Sequence, residues 1–174
     1  MKFFSLLASV FLLFFTSLLI LGVVSGSDSE VNESITIEAP NVVVLKELID
    51  FDNYQKWCPN IIQSDYDPNT QLRQTTYLID KHLVKINEKI QFILSENIIL
   101  FTEQSNIIRG YIQNFNNEIH LQENSDGTTE IHWEIRYTLK PMLSKILNIF
   151  VVKPVIKKIL HENLNALKIN FEGS

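Results

Sequence analysis

A single cysteine, Cys58, excludes an intramolecular disulfide in this chain of 174 residues. Five glycines and five prolines are too few for a collagen-like or low-complexity chain. The four histidines share no spacing with cysteine, aspartate or glutamate that resembles a metal site or a catalytic triad. Positive charge is also short. Fifteen basic residues face twenty acidic ones, a net charge of −5, which argues against bulk attraction to nucleic acid. Long apolar runs are limited to one, which excludes a polytopic membrane protein. The whole chain is 45% apolar with a mean hydropathy of +0.06. That is enough to bury a core and excludes a disordered chain. The length fits one domain behind a leader.

The run is Phe3 to Val24, without a charged residue. Lys2 precedes it, and Asp28, Glu30, Glu33 and Glu38 follow before Lys46. The positive-inside bias then puts the N-terminus in the cytoplasm and the domain outside it. Residues 1–24 read equally as a cleaved signal peptide or as an uncleaved signal anchor. The length of the run favours the anchor, and the short charged start with Ser25, Gly26 and Ser27 favours cleavage. The expected locations are therefore a single-pass membrane-anchored protein, held through this segment, or a secreted one. Residues 25–30 form a polar linker, and residues 31–174 form the domain. Asn32-Glu33-Ser34 is a glycosylation sequon, which would carry a glycan in a eukaryotic secretory lumen.

Val31–Ala39 alternates as a strand, and Pro40 ends it and opens a helix near Asn41–Ile49. Asp50–Trp57 reads as a second short helix, with Asp50 or Asp52 as its cap. Strands follow over Ile61–Tyr66, Gln71–Ile79, Leu83–Leu94, Ile98–Gln104, Ile107–Gln113, Asn117–Glu123 and Thr128–Leu139. Their tight turns predict an antiparallel meander. Beyond Pro141, Met142–Val152 is a helical or irregular lead-in. Pro154 then suits a first helical turn. Ile156, Leu160, Leu164, Leu167 and Phe171 form one apolar stripe over Pro154–Phe171.

The stretch Ser34–Pro59 now carries a recognisable pattern: Ile37, Ala39 and Pro40, then Asp50, Phe51, Tyr54, Trp57 and Pro59. It resembles the start of polyketide cyclase/dehydrase domains of the START-like (SRPBCC) superfamily. Ser125-Asp126-Gly127-Thr128 is similar to that family's late turn, and Trp133, Tyr137 and the terminal helix match further on. The resemblance covers residues 31–172. The valine run after Pro40 departs from the family pattern, and so does the leader. The resemblance implies an α+β helix-grip fold, a curved antiparallel sheet wrapped around a long C-terminal helix, here preceded by an N-terminal hydrophobic helix. It also implies a cavity for a lipid, sterol, polyketide or similar molecule. Some members are aromatases or cyclases, and others carry or sense a ligand.

Strand alternation tests that cavity independently. In Thr128–Leu139 the apolar face must be inner, which turns His132 outward, and His120 likewise points out. In Leu83–Leu94 the inner face places Glu88 among Val84, Ile86, Ile90, Phe92 and Leu94. A carboxylate there is desolvated. It is a polar anchor or acid in the cavity, a core glutamate with a partner, or a bulge residue turned outward. The expected cavity residues are Glu88, Phe92, Phe101, Tyr111, Trp133 and Tyr137 from the sheet, with Ile156, Leu160 and Leu164 from the helix. Tyr54 and Trp57 seat the short helices. No catalytic residue, metal or cofactor is expected. The leading function is binding or carriage of a hydrophobic small molecule on the non-cytoplasmic side. The alternatives are a cyclase or aromatase using Glu88 with Tyr111 or Tyr137, and a ligand-free, membrane-tethered interaction domain. Charge divides unevenly. Residues 140–174 hold six lysines and two glutamates, while residues 25–139 hold 8 basic and 18 acidic residues. Lys145, Lys153, Lys157 and Lys158 could therefore face anionic headgroups or a ligand carboxylate.

Overall fold

The computed structural model describes residues 13, 16–17, 28–79, 81–104, 112–139 and 147–173. Tyr111, Lys145 and all of the leader but residues 13, 16 and 17 lie outside these residues. Among the described residues, no helix is long and apolar enough to cross a membrane.

Seven strands form one antiparallel sheet: β1 (Asp28–Ile37), β2 (Ile61–Asp67), β3 (Leu72–Ile79), β4 (His82–Ile93), β5 (Ile98–Glu103), β6 (Ile112–Glu123) and β7 (Thr129–Leu139). Their order is β1-β7-β6-β5-β4-β3-β2. The meander thus runs unbroken from β2 to β7, and β1 closes onto β7. Between β1 and β2 lie helix α1 (Asn41–Ile49) and a 3-10 helix (Phe51–Lys56). A π-helical turn (Asn148–Val152) leads into helix α2 (Lys153–Glu172). The architecture is α+β, with the sheet packed on the long C-terminal helix.

Alternation sets the faces. Thr129, Ile131, Trp133, Ile135, Tyr137 and Leu139 are all buried, and so are Ile119 and Leu121 on the neighbouring strand. Leu160, Leu164 and Leu167 of the α2 stripe are buried beneath them. Each such side chain contributes about 1.5–3 kcal/mol on leaving water. Pro154 stands in the first turn of α2, where its missing N–H costs no internal bond.

Two local expectations change. Of the strand foreseen over Ile107–Gln113, residues 107–111 lie outside the described residues, and 112–113 join the strand foreseen over Asn117–Glu123 in one strand, β6, with a bulge between Gln113 and Asn116. Asn114 absorbs the extra residue in the left-handed region, at φ 51°. Neither Asp50 nor Asp52 caps the 3-10 helix. Asp52 instead accepts a hydrogen bond from the Tyr66 amide, and Asp50 accepts one from Asn53. The turn before β7 does need its glycine, because Gly127 sits at φ 82°.

Candidate functional site

A cavity of about 220 Å³ lies between the sheet and α2. One part of its wall is aliphatic, with Ile86, Ile135, Val152, Ile156, Ile159 and Leu160. The other is polar and aromatic, with Tyr54, Arg73, Tyr77, Glu88, Asn117 and Trp133. This combination of an apolar body and a few converging polar groups is the usual make-up of a small-molecule site.

The polar end is built by strand register. Arg73 on β3 stands directly opposite Glu88 on β4. Both are 2% exposed. Arg73 Nε and Nη2 both donate to Glu88 Oε2, at 3.1 and 2.6 Å. The guanidinium also rests among aromatic rings, with its carbon 4.6 Å from the centre of Phe101, 5.1 Å from Tyr54 and 5.2 Å from Phe51. Burial works against the charge on Arg73, but the Glu88 carboxylate, with Tyr77 and Tyr54, outweighs it and holds the pKa above the ordinary arginine value. Arginine is therefore charged at every accessible pH. Its remaining nitrogen, Nη1, is buried and has no hydrogen-bond partner among the described residues. A bare charged donor beside an apolar cavity is costly unless something accepts from it.

The neighbours reinforce this polarity. Burial raises the phenols of Tyr54 and Tyr77, and the Glu88 charge adds to the effect, so both stay protonated. The Tyr54 hydroxyl donates to the Leu48 carbonyl. Burial also pushes the Cys58 thiol up to about 12. It is an inert packed thiol, not a nucleophile. Trp133 Nε1 donates to Asn117 Oδ1 at 2.6 Å, which fixes both side chains in the wall.

The structure brings Glu88, Trp133, Ile156 and Leu160 together at the cavity. Phe101 is buried beneath the Arg73 guanidinium, and Phe92 stacks on Phe51 at the edge of the core. Leu164 is buried deeper along α2. Tyr137 is buried too, but its hydroxyl donates to Asn148 Oδ1, away from the cavity wall. Asn32 is exposed on β1, where its side chain donates to Glu30. Sequence reasoning missed Arg73, Tyr77, Asn117 and Asn163 and gave Tyr54 only a seating role. β3 is polar on both faces, so alternation could not orient Arg73. The available signal was the need of a buried Glu88 for a cation across the ladder.

On the opposite face of the sheet, Glu118, His120 and Glu134 bring three ligand atoms within 4.8 Å of one another. They come together because Glu118 faces Glu134 and His120 faces His132 across β6 and β7. Linear spacing does not show this pairing. Arg136 already forms a forked ion pair with Glu134 and lies 3.8 Å from Glu118, so the cluster has its own counter-charge.

Comparison with known proteins agrees with this architecture. No curated protein sequence matches the chain. Among solved structures, the Zhui aromatase/cyclase from Streptomyces sp. R1128 superposes with a TM-score of 0.71 at 12% identity, over 83% of this chain and 94% of its own. Ginseng major latex-like protein 151 from Panax ginseng gives 0.67 at 13% identity, over 84% and 99%. A START superfamily protein from Mycobacterium smegmatis gives 0.63 at 15% identity, over 83% and 97%. At these identities the likeness is one of fold. The model of one family matches residues 28–172, nearly the whole described domain, and on that match the chain belongs to the polyketide cyclase / dehydrase and lipid transport family.

Proposed function

We propose that this domain binds and carries a hydrophobic small molecule, with the apolar body of the ligand against α2 and a polar atom at Arg73. The observation that carries the reading is a cavity with one aliphatic wall and a polar end at Arg73, whose buried Nη1 has no hydrogen-bond partner among the described residues. At about 220 Å³ the space is smaller than the ~300–1,000 Å³ typical of drug-sized ligands. A single acyl chain or a compact ring system fits that limit better than a large polyketide. The family description, which includes lipid transport, supports the same class of cargo. A cyclase built on Glu88 has less support. Glu88 is held by two hydrogen bonds from Arg73, and Tyr137 is engaged by Asn148.

We further propose that the domain works on the non-cytoplasmic side of a membrane, tethered or secreted. Lys2 before the apolar run and the acidic residues after it support that side. Protease protection of the full chain in membrane vesicles tests it. In sealed vesicles whose outer face is the cytoplasmic one, the domain should resist protease until they are opened; cleavage in the sealed vesicles would contradict the reading.

The binding reading is tested by titrating delipidated protein with a panel of fluorescent fatty acids and sterols. Saturable binding is expected, lost in Ile156→Trp, which fills the cavity from α2. Binding that survives the filled cavity would overturn the reading.

A further inference from the structure

We infer that the π-helical turn and the start of α2 form a docking surface for an anionic lipid bilayer. The occupant is a membrane, not a protein partner, and the inference stands apart from the identity of any cavity ligand.

The first observation is apolar exposure in an unusual place. Ile149, Phe150 and Val151 are consecutive and 40%, 63% and 52% exposed, and Leu147 beside them is 51% exposed. Contiguous apolar surface of this kind marks a contact site, whereas single exposed apolar residues need no explanation. The turn is also held firmly. Asn148, between Leu147 and Ile149, is buried, accepts from the Tyr137 hydroxyl and donates to Ser29 at 2.7 Å. The hydrophobic tip is therefore presented by an anchored turn.

The second observation is charge. Lys153 and Lys157 follow the tip on one face of α2, four residues apart, and both are exposed, although Lys157 lies 3.4 Å from the Glu33 carboxylate of β1. The first turn of α2 holds no acidic residue. The rest of the domain is acidic: residues 25–139 carry 8 basic and 18 acidic residues, net −10. Asp28 and Glu30 flank Ser29 at the same corner, so the lysines favour an anionic surface locally, while the acidic remainder of the domain is repelled by it. Apolar side chains flanked by lysines are the composition of an interfacial contact.

The third observation is the path of the chain. Asp28 pairs with Thr138, and Ser29 is bonded to the turn through Asn148. The uncharged run ends at Val24, so residues 25–27 alone separate it from this end of β1. Four steps of extended chain reach at most about 14 Å. A leader held in a bilayer would therefore bring this corner, and not the far end of the sheet, to the lipid. Val152 and Ile156, just beyond the tip, line the cavity, so docking here would set the cavity wall against the membrane.

The test uses the full chain and its buried Cys58. An environment-sensitive thiol dye is attached to Phe150→Cys, and in a separate protein to Leu94→Cys. Leu94 is 74% exposed in the β4–β5 turn at the other end of the sheet. Both proteins are reconstituted into vesicles of phosphatidylcholine alone and of phosphatidylcholine with phosphatidylglycerol. The expected result is a blue-shifted Phe150→Cys probe, quenched by bromine-labelled lipid, in the anionic vesicles only and reversed by high salt. The Leu94→Cys probe should not respond. Adding Lys153→Gln and Lys157→Gln should weaken the response roughly fivefold per lysine removed. Equal responses at the two positions, or in the two vesicle types, would overturn the inference. So would a Phe150→Cys probe that stays in water while a soluble protein protects it.

Discussion

The two halves of the sheet are built on opposite plans. In the half formed by β1, β6 and β7, the inward residues are mostly apolar, with Asn117 and Thr129 as buried polar members. In the half formed by β2, β3 and β4, the inward set includes Ser64, Arg73, Thr75 and Glu88, all buried. Ser64 Oγ, Thr75 Oγ1 and Arg73 Nη1 have no partner there among the described residues. A core selected only for stability would not keep these groups, because each unsatisfied one costs about 1–3 kcal/mol. The contrast places the polar end of the site in the second half, while Asn117, Trp133 and Ile135 of the first half complete its wall.

Removing one charge should separate the halves most sharply. Glu88→Gln leaves Arg73 as a buried cation without its counter-charge and should cost about 3–5 kcal/mol in urea unfolding. Replacing both residues, with Arg73→Met and Glu88→Leu, should be near neutral or stabilising for the same reason. That double variant should still lose the ligand, which shows that the pair is kept for recognition. Ile131→Ala in the apolar half should cost about 2–5 kcal/mol and leave ligand affinity unchanged, because Ile131 does not line the cavity. Trp133→Phe, on β7 but in the cavity wall, leaves Asn117 without its donor and should cost about 1–3 kcal/mol with some loss of affinity.

The smallest effect is an alkaline one. Burial raises Cys58 from 9.0 to about 12 in the folded chain, so the fold prefers the protonated thiol. Its contribution to stability is complete below about pH 9 and is lost as pH rises through about 12. Tyr54 and Tyr77 are shifted in the same direction. Urea midpoints should therefore be flat to about pH 9 and fall above it, with the first part of the fall absent in Cys58→Ala.

The same contrast explains what could be read without coordinates. β7 shows strict alternation of buried and outward residues along nearly its whole length, and α2 has a clean apolar stripe. Both elements therefore stand in the sequence much as they fold. Glu88 could be placed on an inner face because apolar residues surround it in β4. Arg73 could not, because β3 presents polar residues on both faces and only the register with β4 brings it to Glu88. The Glu118, His120 and Glu134 group is likewise a product of cross-strand pairing. The bulge at Asn114 is hidden for another reason. An asparagine in the left-handed region reads in sequence as a turn and ends a strand on paper.

Native mass spectrometry of the protein as purified, beside Ile156→Trp, tests the central claim most directly. The account predicts a small hydrophobic molecule released from the wild-type chain on activation and absent from the variant. An equal adduct on both proteins, or an empty wild-type chain that also fails to take up any lipid or sterol offered, would contradict it.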